Sequence, residues 1–123
     1  MAKTILVADD NPTLRKALCK IFEVEKDFDL CVEAIDGAQA IALARQCRPD
    51  LIILDLNMPV INGIDAARAL KRILPHVPII VLTLHAETVK NCLMEPNSPF
   101  DLVLSKTETE NIVNHVRSLI PVN

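Results

Sequence analysis

Residues 49–65 read PDLIILDLNMPVINGID, and this stretch decides the fold prediction. Its four consecutive aliphatic residues, 51–54, are typical of a strand that is buried on both faces of a parallel sheet. Asp55 follows the run directly, and a loop with proline and glycine leads into a stretch, 64–74, whose apolar residues recur every three or four positions. The segment therefore predicts a strand, a loop and a helix, with a carboxylate where the strand ends.

The same alternation of short apolar runs and helical patterns extends from this segment to both ends of the chain. The runs predict five strands, at 4–8, 30–34, 51–54, 79–82 and 102–104. The helical patterns predict five helices, at 12–23, at 38–47, at 64–74, a short one between 87 and 96, and one from about 108. Asn11 is suited to cap the first helix, and Thr107 the last.

Strict alternation of strands and helices predicts a parallel sheet, because each helix carries the chain back over the sheet. Right-handed crossovers put helices on both faces, which gives an α/β, doubly wound, three-layer domain. We expect one domain over residues 1–123, with a five-stranded parallel sheet in the order 2-1-3-4-5 flanked by five helices. In such folds a ligand site lies beyond the carboxyl ends of the strands where the winding reverses, here between the first and third strands.

Composition limits the possible functions. A chain of 123 residues with 50% hydrophobic residues fits one domain with one core and leaves no room for a second catalytic domain. Its 13 basic and 16 acidic residues are interspersed, so we expect no direct contact with nucleic acid or anionic lipid. No apolar run approaches the roughly 20 residues that span a bilayer, and the first ten residues lack the apolar core of a signal peptide. We therefore expect a cytoplasmic protein with no membrane contact.

The cysteines are far apart in the sequence and form no CxxC pair; they are Cys19, Cys31, Cys47 and Cys92. Each lies among apolar residues, as reduced thiols in a core do. We expect all four to be structural.

Polar residues come directly after four of the five predicted strands. They are Asp9 and Asp10 after the first, Asp55 after the third, Thr83 after the fourth, and Ser105 and Lys106 after the fifth. Each residue alone could serve a turn or a helix cap. Because the carboxyl ends of parallel strands share one edge of the sheet, we expect the set to converge there.

Three carboxylates on one edge need a counter-charge. Within about 4–6 Å of one another they would repel by a few kcal/mol per pair at an effective dielectric constant of about 20, unless protons or a cation intervene. Mg²⁺ prefers oxygen ligands and is typically held by one or two carboxylates, waters and a phosphate oxygen. An aspartate beside such an ion can also attack a phosphoryl group. The pattern predicts a magnesium site with aspartyl-phosphate chemistry.

The sequence resembles the receiver domain of two-component response regulators, a family with a flavodoxin-like fold similar to that of chemotaxis regulators. The resemblance covers essentially the whole chain. The segments that show the resemblance are ILVADDNPTLRKAL, PDLIILDLNMPVINGID, PIIVLTLH and LVLSK. The DLNMP…NG segment, between an acidic pair and a later Thr and Lys, is the most specific part.

The resemblance implies a role for each residue of the site. Asp55 would accept a phosphoryl group from a histidine kinase or phosphotransfer protein, in a phosphorelay. Thr83 would close onto the phosphoryl group, and Lys106 would pair with it. Such a domain acts as a signalling switch on an output domain or effector protein, is not an enzyme in the ordinary sense, and in some cases forms a phosphorylation-dependent homodimer.

The resemblance also implies the Mg²⁺ ligands. Asp10 and Asp55 would bind the ion through their carboxylates, Asn57 through its backbone carbonyl, and Asp9 largely through water.

The sequence departs from the family pattern near its end. Val103 stands where the family commonly has a switching Tyr or Phe, and Thr107 replaces the usual proline after Lys106. The segment before the fifth strand, EPNSPFD, also differs from the common pattern. These changes leave the chemical site whole but affect the expected output surface.

Three other interpretations are weaker. A Mg²⁺-dependent phosphohydrolase could also use an aspartyl phosphate, but it often needs an acid two residues after the nucleophile, where this chain has Asn57, and normally a cap domain. A flavin carrier would need a phosphate-binding first loop and an aromatic residue to stack on the flavin, and the chain has no Trp or Tyr. A degenerate receiver used only for docking would have lost site residues.

Overall fold

The computed structural model describes residues 3–120, in which five strands and five helices alternate. The strands are β1 Lys3–Ala8, β2 Phe28–Ala34, β3 Leu51–Asp55, β4 Ile79–Thr83 and β5 Leu102–Ser105. The helices are α1 Pro12–Glu23, α2 Gly37–Cys47, α3 Gly63–Ile73, α4 Ala86–Leu93 and α5 Ile112–Leu119. No helix among these is both long and apolar enough to cross a membrane.

All strand pairs are parallel, and the order in the sheet is β2-β1-β3-β4-β5. The predicted α/β class and strand order are confirmed. Because β1 lies between β2 and β3, the chain winds first toward one edge of the sheet and then toward the other. The residues after β1 and at the end of β3 therefore meet at the point of reversal.

The core has two parts, one on each face of the sheet. Successive strand residues point to opposite faces, so in β3 Leu51 and Ile53 pack with α1 and α5, whereas Ile52 and Leu54 pack with α2, α3 and α4. All four side chains are at most 1% exposed. This two-sided burial explains the uninterrupted apolar run in the sequence.

Several predicted boundaries were correct or nearly so. Asn11 caps α1, since its Oδ1 accepts hydrogen bonds from the backbone amides of Thr13 (2.9 Å) and Leu14 (3.3 Å). Three strands extend one residue further than predicted, so that Asp55, Thr83 and Ser105 are their last residues. These polar residues still occupy paired positions of the sheet, which the hydrophobic pattern alone does not indicate.

The prediction that the last helix begins near residue 108 with Thr107 as its cap was wrong. The backbone amide of Thr107 and its hydroxyl instead interact with Ser105 Oγ, at 3.2 and 2.8 Å. The Glu108 amide donates to the Ser105 carbonyl (3.1 Å), which makes a turn, and α5 begins only at Ile112. The apolar face of α5 is nevertheless the predicted one, because Ile112 and Val116 are fully buried.

The prediction that the cysteines are structural residues of the core was wrong for Cys47, one of the three whose side chains are described. Cys47 is exposed on the last turn of α2. Cys19 is buried, but its sulfur lies 2.6 Å from that of Cys31, which is partly exposed on the edge strand β2. The side chain of Cys92 lies outside the described part.

Candidate functional site

Three carboxylates meet at the carboxyl edge of β1 and β3. One oxygen from each of Asp9, Asp10 and Asp55 lies within 4.8 Å of the others. Asp9 and Asp55 are buried, at 1% and 2% exposure, whereas Asp10 is exposed. The predicted convergence of these residues is therefore present, with one carboxylate open to solvent and two below it.

Lys106 is the cation that faces this cluster. It follows β5, and its Nζ lies 2.9 Å from Asp55 Oδ1 and 3.5 Å from Asp9 Oδ2. Its backbone amide donates to the carbonyl of Thr83 (3.0 Å), which fixes the start of the loop after β5 to the end of β4. The lysine thus reaches two buried carboxylates from a position set by the sheet.

Burial and the pairing of Asp55 with Lys106 shift the pKa values of these two residues in opposite directions. Burial raises the pKa of Asp55 above its usual value, although the hydrogen bond from Lys106 opposes the shift, and the negative charge of Asp9 adds to it. Burial would lower the pKa of Lys106, but the hydrogen bond to Asp55 and the two carboxylate charges outweigh it and raise that pKa. Lys106 therefore stays charged, and a single lysine does not fully compensate the carboxylates.

A backbone amide two residues after Asp55 holds the Asp55 carboxylate. The amide of Asn57 donates to Asp55 Oδ1 (3.1 Å), the same oxygen that Lys106 contacts. The Asn57 amide is the donor that reaches this carboxylate from the backbone, and within the described part of the chain Asp55 Oδ2 accepts no hydrogen bond. The Asn57 side chain is exposed, and the expected role of its carbonyl as a metal ligand stays a prediction.

Thr83 ends β4, beside β3, and is 2% exposed. Its Oγ1 accepts a hydrogen bond from the backbone amide of His85 (3.2 Å). A cavity of about 180 Å³ opens just beyond it and is lined by Leu84, His85, Ala86, Glu87, Ser105 and Glu108. The hydroxyl thus lies at the same edge as the carboxylates, and the residues that follow Thr83 in the chain line the cavity.

Arg15 is a residue of this region that the sequence reasoning missed. It is only 9% exposed; its guanidinium donates to the backbone carbonyl of Asp9 (2.9 Å) and to Glu33 Oε1 (2.9 Å). Its position three residues before Leu18 and seven before Phe22 places it on the buried stripe of α1, and this spacing was the available signal. The contact helps to fix the chain segment that carries the acidic pair.

The donor set fits a hard dication. Asp9 Oδ2 is buried and accepts no hydrogen bond among the described residues, because the 3.5 Å contact with Lys106 is an ion-pair distance rather than a well-formed hydrogen bond. A buried carboxylate oxygen without a hydrogen-bond donor, beside two more carboxylates, is costly unless further positive charge compensates it. The ligands are all oxygen, as Mg²⁺ prefers.

The fold and this acidic cluster together define a class of protein, and comparison with known families identifies it. The model of the response regulator receiver domain matches residues 5–117. The chain belongs to this family of two-component signalling proteins, whose members bind Mg²⁺ at an acidic phosphorylation site.

Individual response regulators resemble this chain in sequence or in fold. The DNA-binding response regulator MtrA of Mycolicibacterium smegmatis is 38% identical over all of this chain, which spans 53% of the length of that relative. The structure of the Francisella response regulator 1452 receiver domain has a TM-score of 0.82 and 26% identity over 95% of both chains. The Vibrio cholerae chemotaxis protein CheY4 shares the fold, with a TM-score of 0.85 and 24% identity over 98% of this chain and 100% of that one.

Proposed function

We propose that Asp55 is the phosphoacceptor of this receiver domain, and that it takes a phosphoryl group from the phosphohistidine of a histidine kinase or phosphotransfer protein. The observation that carries the proposal is the asymmetry of the Asp55 carboxylate. Oδ1 is held by Lys106 and by the Asn57 amide, while Oδ2 accepts no hydrogen bond among the described residues. Two donors thus fix the orientation of a carboxylate whose second oxygen is free to attack.

The transfer forms one bond and breaks one. Asp55 Oδ2 attacks phosphorus, the P–N bond to the donor imidazole breaks, and the electron pair of that bond returns to the ring. Lys106 stays charged and pairs with a phosphoryl oxygen once the carboxylate negative charge has moved outward. The Thr83 hydroxyl, at the neighbouring strand end, donates to another phosphoryl oxygen. The product is an aspartyl phosphate.

Asp9, Asp10 and Asp55 would hold Mg²⁺, with the carbonyl of Asn57 as a further ligand. When bound, the ion neutralises charge on the carboxylates and on the transferred phosphoryl oxygens. Arg15 and the Asn11 amide, which donates to Asp9 Oδ1 at 2.8 Å, keep Asp9 in place. This positioning lets the chain assist its own phosphorylation and dephosphorylation, without a separate enzymatic activity.

The domain would transmit its state to an output domain or an effector protein in the cytoplasm, either directly or through a phosphorylation-dependent homodimer. The relative MtrA is named as a DNA-binding response regulator, and this chain spans about half of it. DNA binding is therefore proposed only for an attached or separate output part. The interspersed charges of these 123 residues give no basis for it here.

A phosphohydrolase remains the competing function, and the residue at position 57 argues against it. A hydrolase of that kind needs an acid near the nucleophile, and Asn57 offers none. The two functions also differ in stoichiometry. A receiver takes up one phosphoryl group per chain, whereas a hydrolase releases phosphate over many turnovers.

The test is to incubate the chain with acetyl phosphate and Mg²⁺ and to measure its intact mass. We expect a gain of one phosphoryl group, located in the tryptic peptide 46–68, whose aspartates are Asp50, Asp55 and Asp65. Asp55→Asn should abolish the gain, because an amide is a poor nucleophile. Asp65→Asn is the matched control, since Asp65 is exposed in the same peptide and should not affect labelling. Full labelling of Asp55→Asn, or steady phosphate release with no phosphoryl group accumulating on the native chain, would refute the proposal.

A further inference from the structure

The contact between Cys19 and Cys31 has no part in the function proposed above. The two sulfurs, on α1 and on β2, lie 2.6 Å apart. A disulfide bond is about 2.05 Å long, so the sulfurs are about half an ångström from bonding distance. The two cysteines are twelve positions apart in the sequence, and the fold brings them together.

The neighbouring residues show that this contact follows from the packing of α1 on β2. Arg15 lies four residues before Cys19 on the helix, and Glu33 lies two residues after Cys31 on the strand; the ion pair between them is 2.9 Å long. Four helical residues and two strand residues both advance by about 6 Å. The sulfur pair and the ion pair are therefore two successive contacts across the same helix–strand interface, which fixes both.

The two thiols also differ in chemical character. The contact with Cys31 lowers the pKa of Cys19 below its ordinary value, and burial and the neighbouring carboxylates only partly oppose this. The same contact, together with burial, raises the pKa of Cys31. Thiolates are the form that reacts with oxidants, so Cys19 is the more nucleophilic of the two. Cys31 is partly exposed on the edge strand β2, so the pair lies near the surface.

We propose that Cys19 and Cys31 are a reversible oxidation site of this receiver domain, at which a small peroxide converts the two thiols into a disulfide that joins α1 to β2. With hydrogen peroxide, the Cys19 thiolate attacks one oxygen and the O–O bond breaks. The leaving hydroxide takes up the proton that the Cys19 thiol had released and becomes water. The resulting sulfenic acid is attacked by the Cys31 sulfur. The S–O bond breaks, a second water leaves, and the sulfurs have lost two electrons to the peroxide.

Trypsin separates every cysteine of the chain into a different peptide, so the bond can be located without mutation. Cys19 falls in 17–20, Cys31 in 27–45, Cys47 in 46–68 and Cys92 in 91–106. The full chain is treated with hydrogen peroxide, unfolded, alkylated with iodoacetamide and digested. We expect an intact monomer that has lost two hydrogen atoms and two alkylatable thiols, and a linked pair of peptides 17–20 and 27–45. Dithiothreitol should restore both thiols.

Two variants and one condition keep the test decisive. Cys47→Ser removes an exposed thiol and should leave the linked peptides unchanged, whereas Cys31→Ser should abolish them. If Cys31→Ser fails to fold, the native chain oxidised in urea replaces it, and there the Cys19–Cys31 link should lose its preference over other pairings. The proposal is overturned if folded chain keeps both thiols alkylatable, if Cys31 is oxidised without a link, or if the link forms only between two chains.

Discussion

Replacing Gly63 by alanine should damage both the fold and the phosphorylation site. Gly63 is the first residue of α3, and its backbone amide donates to the Leu56 carbonyl (3.0 Å). A Cβ atom at this position would lie 2.5 Å from the backbone oxygen of Asp55 and 2.8 Å from Leu56 Cα. Both contacts are with backbone, which cannot rotate away as a side chain could.

The size of the effect follows from these distances. Ordinary contact begins at 3.4 Å, so α3 and the end of β3 must separate by about 0.9 Å. Overpacking of this kind costs about 1–3 kcal/mol of folding free energy. If the shift falls on Asp55, a displacement of about 1 Å can slow a reaction on the order of 10²-fold. We expect Gly63→Ala to show both losses.

The assays are urea unfolding and the rate of phosphorylation by acetyl phosphate. Gly37→Ala is the matched control, since Gly37 is the first residue of α2 and an added Cβ would collide with the backbone of Ile61 rather than with Asp55. It should cost stability and leave the phosphorylation rate close to that of the native chain. A Gly63→Ala variant with unchanged stability and rate would show that the close approach of α3 to β3 does not position Asp55.

Three further outcomes follow from the structure. Asp10→Ala should weaken Mg²⁺ binding and slow phosphorylation, yet raise the Tm in metal-free buffer by removing a repelling charge; unchanged affinity in a Mg²⁺ titration would contradict the site. The hydrogen bonds from Arg117 (2.8 and 2.9 Å) lower the pKa of Asp27, so their stabilisation is present above the usual Asp pKa and is lost as the pH falls through the lowered value. The Tm difference between the native chain and Asp27→Asn should therefore shrink below about pH 3.9, and a constant difference would refute this. Beryllofluoride, used as a mimic of the phosphoryl group, should change amide hydrogen exchange between residues 84 and 100. Changes confined to the phosphorylation site would contradict this expectation.

The sequence alone predicts the chemical edge of the sheet well, and for a physical reason. Long apolar runs end abruptly at polar residues, and in a parallel α/β sheet all such ends share one edge. Asp9, Asp55 and Lys106 therefore meet as expected, although nothing in the sequence indicated that Lys106 contacts both carboxylates. The position of the site depends on topology, whereas its contacts depend on side-chain packing.

The parts that were missed depend on tertiary packing. Arg15 is charged, yet it is buried, because the carbonyl of Asp9 and the Glu33 carboxylate accept its hydrogen bonds and compensate its burial. The contact of Cys19 with Cys31 needs the packing of α1 on β2, which a spacing of twelve residues does not reveal. Both features lie on this one interface, where local patterns indicate the elements but not the contacts between them.

Val103 bears on how the phosphorylated site would influence its surroundings. It is 4% exposed and pairs with Val81 in the sheet. A buried β-branched residue has one strongly preferred χ1 rotamer and cannot swing outward as an aromatic residue could. The site is then connected to its surroundings through the backbone, since the Lys106 amide donates to the Thr83 carbonyl at 3.0 Å. A movement of Thr83 or Lys106 toward a phosphoryl group would therefore displace the segment that follows β4. That segment begins with Leu84, an apolar side chain already 64% exposed, so we expect the output surface to lie there.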